Sequence, residues 1–181
     1  MIRATTMVLG LALAAPAWGR DCPAPPDHAE EIAGLLDRLA QAGDPLQAQR
    51  LMNALWELWL DAPDAEAQDL LDRAMDLREA GQGAEAMALL DQLIEDCPDY
   101  AEGWNQRAFI HYLQAAHEAA LADLDAALAR QPDHVGALSG RALALMGLGR
   151  DADARRALER ALAHNPWLLE RGLIEAPGTD I

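Results

Sequence analysis

The 181-residue chain carries 14 Arg, no Lys, 30 Asp and Glu and a formal charge of -16, with an isoelectric point near 4.5. That balance excludes a general nucleic-acid binder or an adhesin for anionic membranes, because phosphate attraction needs a basic surface; the missing lysine also excludes Schiff-base catalysis and a Walker-type phosphate loop. With 39 Ala and 30 Leu against 11 Val, Ile and Thr together, the sequence predicts one all-α domain able to bury its own core.

Residues 1–19 read as a secretory signal peptide. Arg3 supplies the early charge, Met7 to Ala15 the apolar run, and Ala15, Ala17 and Gly19 the small residues for cleavage near Gly19. The run falls short of the roughly 20 residues that a membrane span needs, and no later stretch supplies one. Arg20 and Asp21 ahead of Cys22 argue against a lipid-modified cysteine. An exported chain folds where disulfides persist, so Cys22 and Cys97 are expected to bridge, with two independent thiols as the alternative. Usage rich in Ala and Arg and free of Lys points to a GC-rich bacterial genome, which makes the compartment periplasmic.

Residues 20–66 hold a proline-rich start, Cys22 to Pro26, and two amphipathic helices. Ile32, Leu35, Leu36 and Leu39 form one apolar stripe; Leu51, Met52, Leu55, Trp56, Leu58 and Trp59 form a broader one. Gly43-Asp44-Pro45 separates them and Pro63 ends the second. The pair reads as an end cap over exposed apolar surface, and the alternative makes Trp56 and Trp59 a docking surface.

Pro98, Pro132 and Pro166 are spaced by 34 residues, and the intervening segments align without a gap. Over units 67–100, 101–134 and 135–168, position four holds Leu70, Trp104 and Leu138; position eight holds Ala74, Ala108 and Ala142. Position twenty holds Ala86, Ala120 and Ala154, and position twenty-four Leu90, Leu124 and Leu158. Each unit is therefore two helices and a turn, closed by a proline. Small residues at eight and twenty bring the helices of a unit together, and the units stack into a right-handed arc. Ala115 stands where Gly81 and Gly149 stand in the other units, which predicts a longer or looser internal turn. Trp167 to Ile174 reads as a last short helix over the final unit and Pro177 to Ile181 as tail, with 169–181 as the C-terminal cap and tail.

The middle unit resembles the tetratricopeptide repeat family at Trp104, Ala108, Ala120, Ala127 and Pro132, in order. The resemblance implies a solenoid of about three such units, 67–168, whose first helices line a concave groove for a protein or peptide partner. In the middle unit the groove positions are Glu102, Asn105, Gln106, Phe109, Tyr112 and Leu113. Asn105 and Gln106 would hydrogen-bond an extended backbone, and Phe109 and Tyr112 would give broad apolar contact. Met75 and Arg78 join them from the first unit, Leu143 and Met146 from the third, where Gly136, Ser139, Gly140 and Gly147 leave room for a bulky side chain. Members of the family that hold chaperones grip a terminal carboxylate with Lys, Arg and Asn; the absence of Lys here argues against that mode.

Catalytic motifs are absent. There is no His-Glu-x-x-His, phosphate-binding glycine loop or Gly-x-Ser-x-Gly elbow, and the single serine, Ser139, sits inside a helical pattern. No metal site or cofactor is called for, and nothing points to a small-molecule ligand. Arg73, Arg107 and Arg141 share position seven, read as buried-stem arginines pairing with carboxylates such as Asp123, with an anion-binding ladder as the alternative. The sequence thus predicts a non-enzymatic interaction module or assembly adaptor of the bacterial envelope. Its rivals are a structural subunit contacting partners through its end cap and outer faces, and an envelope enzyme.

Overall fold

The structure is a computed structural model that describes residues 22–175; the expected signal peptide and the expected tail from Pro177 lie outside these residues. Among the described residues there are nine α-helices and one 3-10 turn, and no strand. In chain order they are α1 (Ala29–Ala40), α2 (Pro45–Trp59), α3 (Ala65–Glu79), α4 (Gly83–Asp96), α5 (Ala101–Leu113), α6 (His117–Arg130), α7 (Val135–Gly147), α8 (Asp151–His164), the 3-10 turn (Leu169–Arg171) and α9 (Gly172–Glu175). None is long and apolar enough to cross a membrane. The helix expected over Trp167 to Ile174 is broken into the 3-10 turn and one turn of α-helix.

Helices α3 and α4, α5 and α6, and α7 and α8 pack as three antiparallel-type pairs. Their crossings are made by Ala74 and Ala86, Ala108 and Ala120, and Ala142 and Ala154, each at most 3% exposed. With no side chain beyond Cβ, these residues let the backbones approach and leave Leu90, Leu124 and Leu158 to fill the space around them. Helix α3 begins at Ala65, ahead of position 67, because the Asp64 carboxylate accepts the backbone N–H groups of Glu66 and Ala67 at 3.1 and 2.9 Å. Trp104 is only half-buried: its Nε1 donates to the Pro98 carbonyl at 2.9 Å, and Arg107 and Arg130 lie 5.1 and 4.7 Å from its ring.

Neighbouring pairs are also joined by charge. Arg107 reaches Asp91 on α4 at 2.8 Å and Arg141 reaches Asp125 on α6 at 2.6 Å, the same two positions one repeat later. Arg107 also forks onto buried Asp123 at 2.8 and 2.7 Å, and that hydrogen-bonded carboxylate raises the guanidinium pKa further. Arg73, with no repeated pair before it, turns to Asp69 on its own helix at 3.0 Å. All three arginines of the stripe thus pair with carboxylates.

The internal turns of the three pairs are alike, contrary to the expectation for Ala115. Gly81, Ala115 and Gly149 all adopt positive φ, at 76°, 56° and 67°. Each turn repeats the same two bonds: Ala115 N to the Tyr112 carbonyl and Ala116 N to the His111 carbonyl match Gly81–Arg78 and Gln82–Leu77, and Gly149–Met146 and Arg150–Leu145. Alanine is simply forced into the left-handed region that glycine occupies freely.

The N-terminal pair folds back to the third repeated pair. Asp44 caps α2 by accepting Gln47 N at 2.8 Å, with Pro45 at the first helical position. The apolar stripes of α1 and α2 share one cluster with Val135 of α7, bordered by Trp167 and Leu168, and α1 lies against α8. Trp59 is 4% exposed and stacks on His134 with centroids 4.0 Å apart, so it is core and not the docking surface considered from sequence. Further ties are Tyr100 Oη donating to the Trp59 carbonyl at 2.9 Å, Trp167 Nε1 donating to the Ala42 carbonyl at 2.9 Å, and His28 Nε2 donating to Asp61 at 2.7 Å. Burial raises the Tyr100 phenol pKa well above its ordinary value and keeps it a donor. Cys22 and Cys97 form a disulfide that fastens the proline-rich start to the end of α4.

Candidate functional site

First helices α3, α5 and α7 present their inner faces to a cavity of about 450 Å³, closed at one end by α2 and bordered by the 3-10 turn. Met75 and Arg78 come from α3, Asn105, Gln106, Ala108, Phe109 and Tyr112 from α5, and Gly136, Ser139, Gly140 and Leu143 from α7. Trp56 and Leu60 at the end of α2, Leu124 beneath and Glu170 at the border complete the wall. Its surface is mostly apolar. Phe109 is 46% exposed and carries the Arg78 guanidinium 5.2 Å above its ring.

The floor is organised by Glu102, which is 1% exposed. Its carboxylate accepts from Asn105 Nδ2 at 3.2 Å to each oxygen, from Gln106 Nε2 at 2.5 Å and from His134 Nε2 at 2.9 Å. The orientations follow from donor chemistry. Arg78 only donates, and it bonds Gln106 Oε1, so Gln106 must turn its amino group to Glu102. Ala137 N donates to His134 Nδ1 at 3.1 Å, capping α7, so the ring proton sits on Nε2 and points at the carboxylate. Burying a carboxylate is tolerable because its oxygens meet three side-chain donors.

Several sequence expectations change as a result. Glu102 is beneath the cavity, not in it. Gln106 accepts from Arg78 at Oε1 and donates to Glu102 from Nε2, which fixes the orientation of its amide. Asn105, 8% exposed, turns its amino group to both oxygens of Glu102. Met146, 38% exposed, and Leu113, 61% exposed, are surface residues outside the cavity wall. Met75, Arg78, Asn105, Gln106, Phe109, Tyr112 and Leu143 are brought together on one wall.

The room foreseen over the glycines of α7 is partly taken by the chain itself. A Cβ at Gly136 would lie 2.9 Å from the Trp56 ring, so the glycine is what lets the indole in. Glu170 was not anticipated as a wall residue, and Trp56 was considered only as part of an end-cap docking surface; the glycine at position two of the third unit, where the middle unit has Glu102, is what admits its ring. Ser139 donates its Oγ–H to Glu170 Oε1 at 3.0 Å. Among the described residues no cluster of three or more His, Cys, Asp or Glu is placed to hold a metal ion.

The tetratricopeptide repeat pattern matches residues 67–110. A TPR repeat-containing protein of Rhizobium etli is 33% identical over 133 residues, 74% of this chain, and the chain spans 65% of that relative's length. The first TPR of Spaghetti (RPAP3), bound to the HSP90 peptide SRMEEVD, superposes with a TM-score of 0.58 at 21% identity, covering 60% of this chain and 86% of the other. The TPR2AB domain of yeast Sti1, in a pHSP90 complex, gives 0.53 at 20% identity, covering 72% and 52%. MamA of Desulfovibrio magneticus gives 0.53 at 20% identity, covering 79% and 78%. At these identities the structural likeness is one of fold.

Proposed function

Because the chain belongs to the tetratricopeptide repeat family, we propose that it is a non-enzymatic, periplasmic interaction module. It takes a bulky apolar side chain of a partner segment into the cavity on its inner face. Recognition is assigned to the three units over 67–168, with 20–66 as the cap that shortens the groove. The observation that carries this reading is the cavity itself. It is apolar, lined by the first helix of every repeated pair, and its volume of about 450 Å³ admits a side chain or two but not a long stretch of chain. One solved structure of the same fold is bound to the HSP90 peptide SRMEEVD and another is a pHSP90 complex, which supports a peptide partner here. The Cys22–Cys97 bridge supports an oxidising compartment.

The test is crosslinking and capture from an envelope extract, comparing residues 20–181 with a variant carrying Phe109→Ala, Tyr112→Ala and Leu143→Ala. These three residues touch the cavity without holding Glu102, so the variant is expected to keep its helicity and lose its partner. A folded variant that captures the same partner undiminished moves the contact to the end cap or the outer helices and ends the cavity reading.

A further inference from the structure

We propose that the end of the cavity beside α7 is an indole-sized subsite that the chain fills with its own Trp56, so that the cavity accepts an aliphatic or single-ring side chain of a partner and turns away a tryptophan. This rests on the reading of the cavity as a partner site and adds Trp56 as the residue that sets what enters.

Side chains lie close against the backbone of α7 at each of its glycines. A Cβ added at Gly140 would lie 3.1 Å from Leu124 Cδ2, and one at Gly147 would lie 2.5 Å from His117 Nε2. Both neighbours belong to α6, as expected where one repeated pair stacks on the next. At Gly136 the close neighbour is instead Trp56 of the N-terminal pair, with two ring atoms 2.9 and 3.0 Å from the added Cβ. This end of the groove is therefore built by a repeat and filled from outside the repeats.

Trp56 is held where it is. Its ring meets Trp59 and His134 edge-on, with centroids 5.3 and 5.4 Å apart, and those two buried rings stack on each other at 4.0 Å. His134 is fixed in turn by Glu102 at one nitrogen and by Ala137 N at the other. The opposite side of the cavity is more open, since Phe109 is 46% exposed. An incoming indole seated against α7 would overlap the Trp56 ring, and a close-packed wall accommodates overlap only by displacing side chains. A leucine or phenylalanine side chain can lie beside that ring, against Met75, Phe109, Tyr112 and Leu143.

The N-acetyl amides of leucine, phenylalanine and tryptophan, titrated by ligand-observed NMR against residues 20–181, test this directly, with helicity checked by circular dichroism. The unsubstituted protein is expected to bind the leucine and phenylalanine amides about tenfold tighter than the tryptophan amide, the scale of overpacking a filled site. Trp56→Ala empties the subsite and should strengthen binding of the tryptophan amide about tenfold. Adding Gly136→Ala to that variant should remove the gain, because the new Cβ stands where the ring edge would rest, and leave the phenylalanine amide unchanged. Gly136→Ala alone keeps Trp56, and so does not depend on the cap surviving its loss; it should push the ring into the cavity and weaken all three amides. Equal binding of the tryptophan and phenylalanine amides by the unsubstituted protein would overturn the subsite while leaving the cavity as a partner site. So would a gain in Trp56→Ala that persists with Gly136→Ala, or unchanged affinities in Gly136→Ala alone. Failure of all three amides to bind any of these proteins would remove the cavity reading and the subsite with it.

Discussion

Each repeated pair closes over alanines at two fixed positions, whereas the N-terminal pair meets the rest of the chain through rings and a covalent tie. In α5–α6, Ala108 and Ala120 are completely buried and share one apolar cluster. In α1–α2 the contact is Trp59 stacked on His134, Trp56 resting on Gly136, Trp167 bonded to Ala42, and the bridge between Cys22 and Cys97. The first kind of packing can be repeated every 34 residues because it uses equivalent positions; the second cannot, since each contact joins residues with no counterpart elsewhere. A cap built from single contacts depends heavily on each of them.

The largest expected effect tests that dependence. Trp59→Ala should cost about 3–5 kcal/mol, the range for deleting a buried aromatic side chain. The loss should be local: hydrogen exchange should accelerate in α1 and α2 while α5 to α8 keep their protection. Uniform acceleration across all helices would show that the N-terminal pair and the repeats form one cooperative unit. Reducing the disulfide should cost less, about 2–4 kcal/mol, through the added freedom of the unfolded chain. It should be visible as a lower midpoint in urea, and an unchanged midpoint would mean that the rings alone fasten the start of the chain.

The same contrast explains what the sequence makes legible. The period of the prolines, the alanine positions and the break at Gly43-Asp44-Pro45 are local or repetitive signals, and they correspond to the helices observed. The inner-face positions are periodic too, which is how Phe109, Tyr112, Met75 and Leu143 could be placed on one wall. The fate of Glu102 is not periodic. Position two would face the groove by register alone, yet His134 caps α7 with one ring nitrogen and holds Glu102 with the other, which draws the carboxylate and two amides inward. Nor does spacing within α2 record that Trp56 lies against α7, because that contact spans elements far apart in the chain. What sequence could offer was a vacancy at Gly136 and an unusually large residue in search of one.

The smallest effect concerns the turn that breaks the repeat's own rule. Ala115 holds φ at 56° where its two counterparts are glycine, and the hydrogen bonds around it are those of the glycine turns. A left-handed conformation costs an L-residue about 1–2 kcal/mol, so Ala115→Gly removes that strain. Against this, glycine gives the unfolded chain more freedom, worth about 0.4–1 kcal/mol. Because relief of strain outweighs that added freedom, the substitution should stabilise the protein by about 0.5–1 kcal/mol, read as a small rise in the urea midpoint with an unchanged slope. Gly81→Ala should do the reverse by a similar amount, since nothing within 4 Å would obstruct the added Cβ and only the backbone conformation, at φ 76°, opposes it. If both substitutions moved stability in the same direction, contacts particular to each turn, and not the left-handed residue they share, would govern how tightly these helix pairs close.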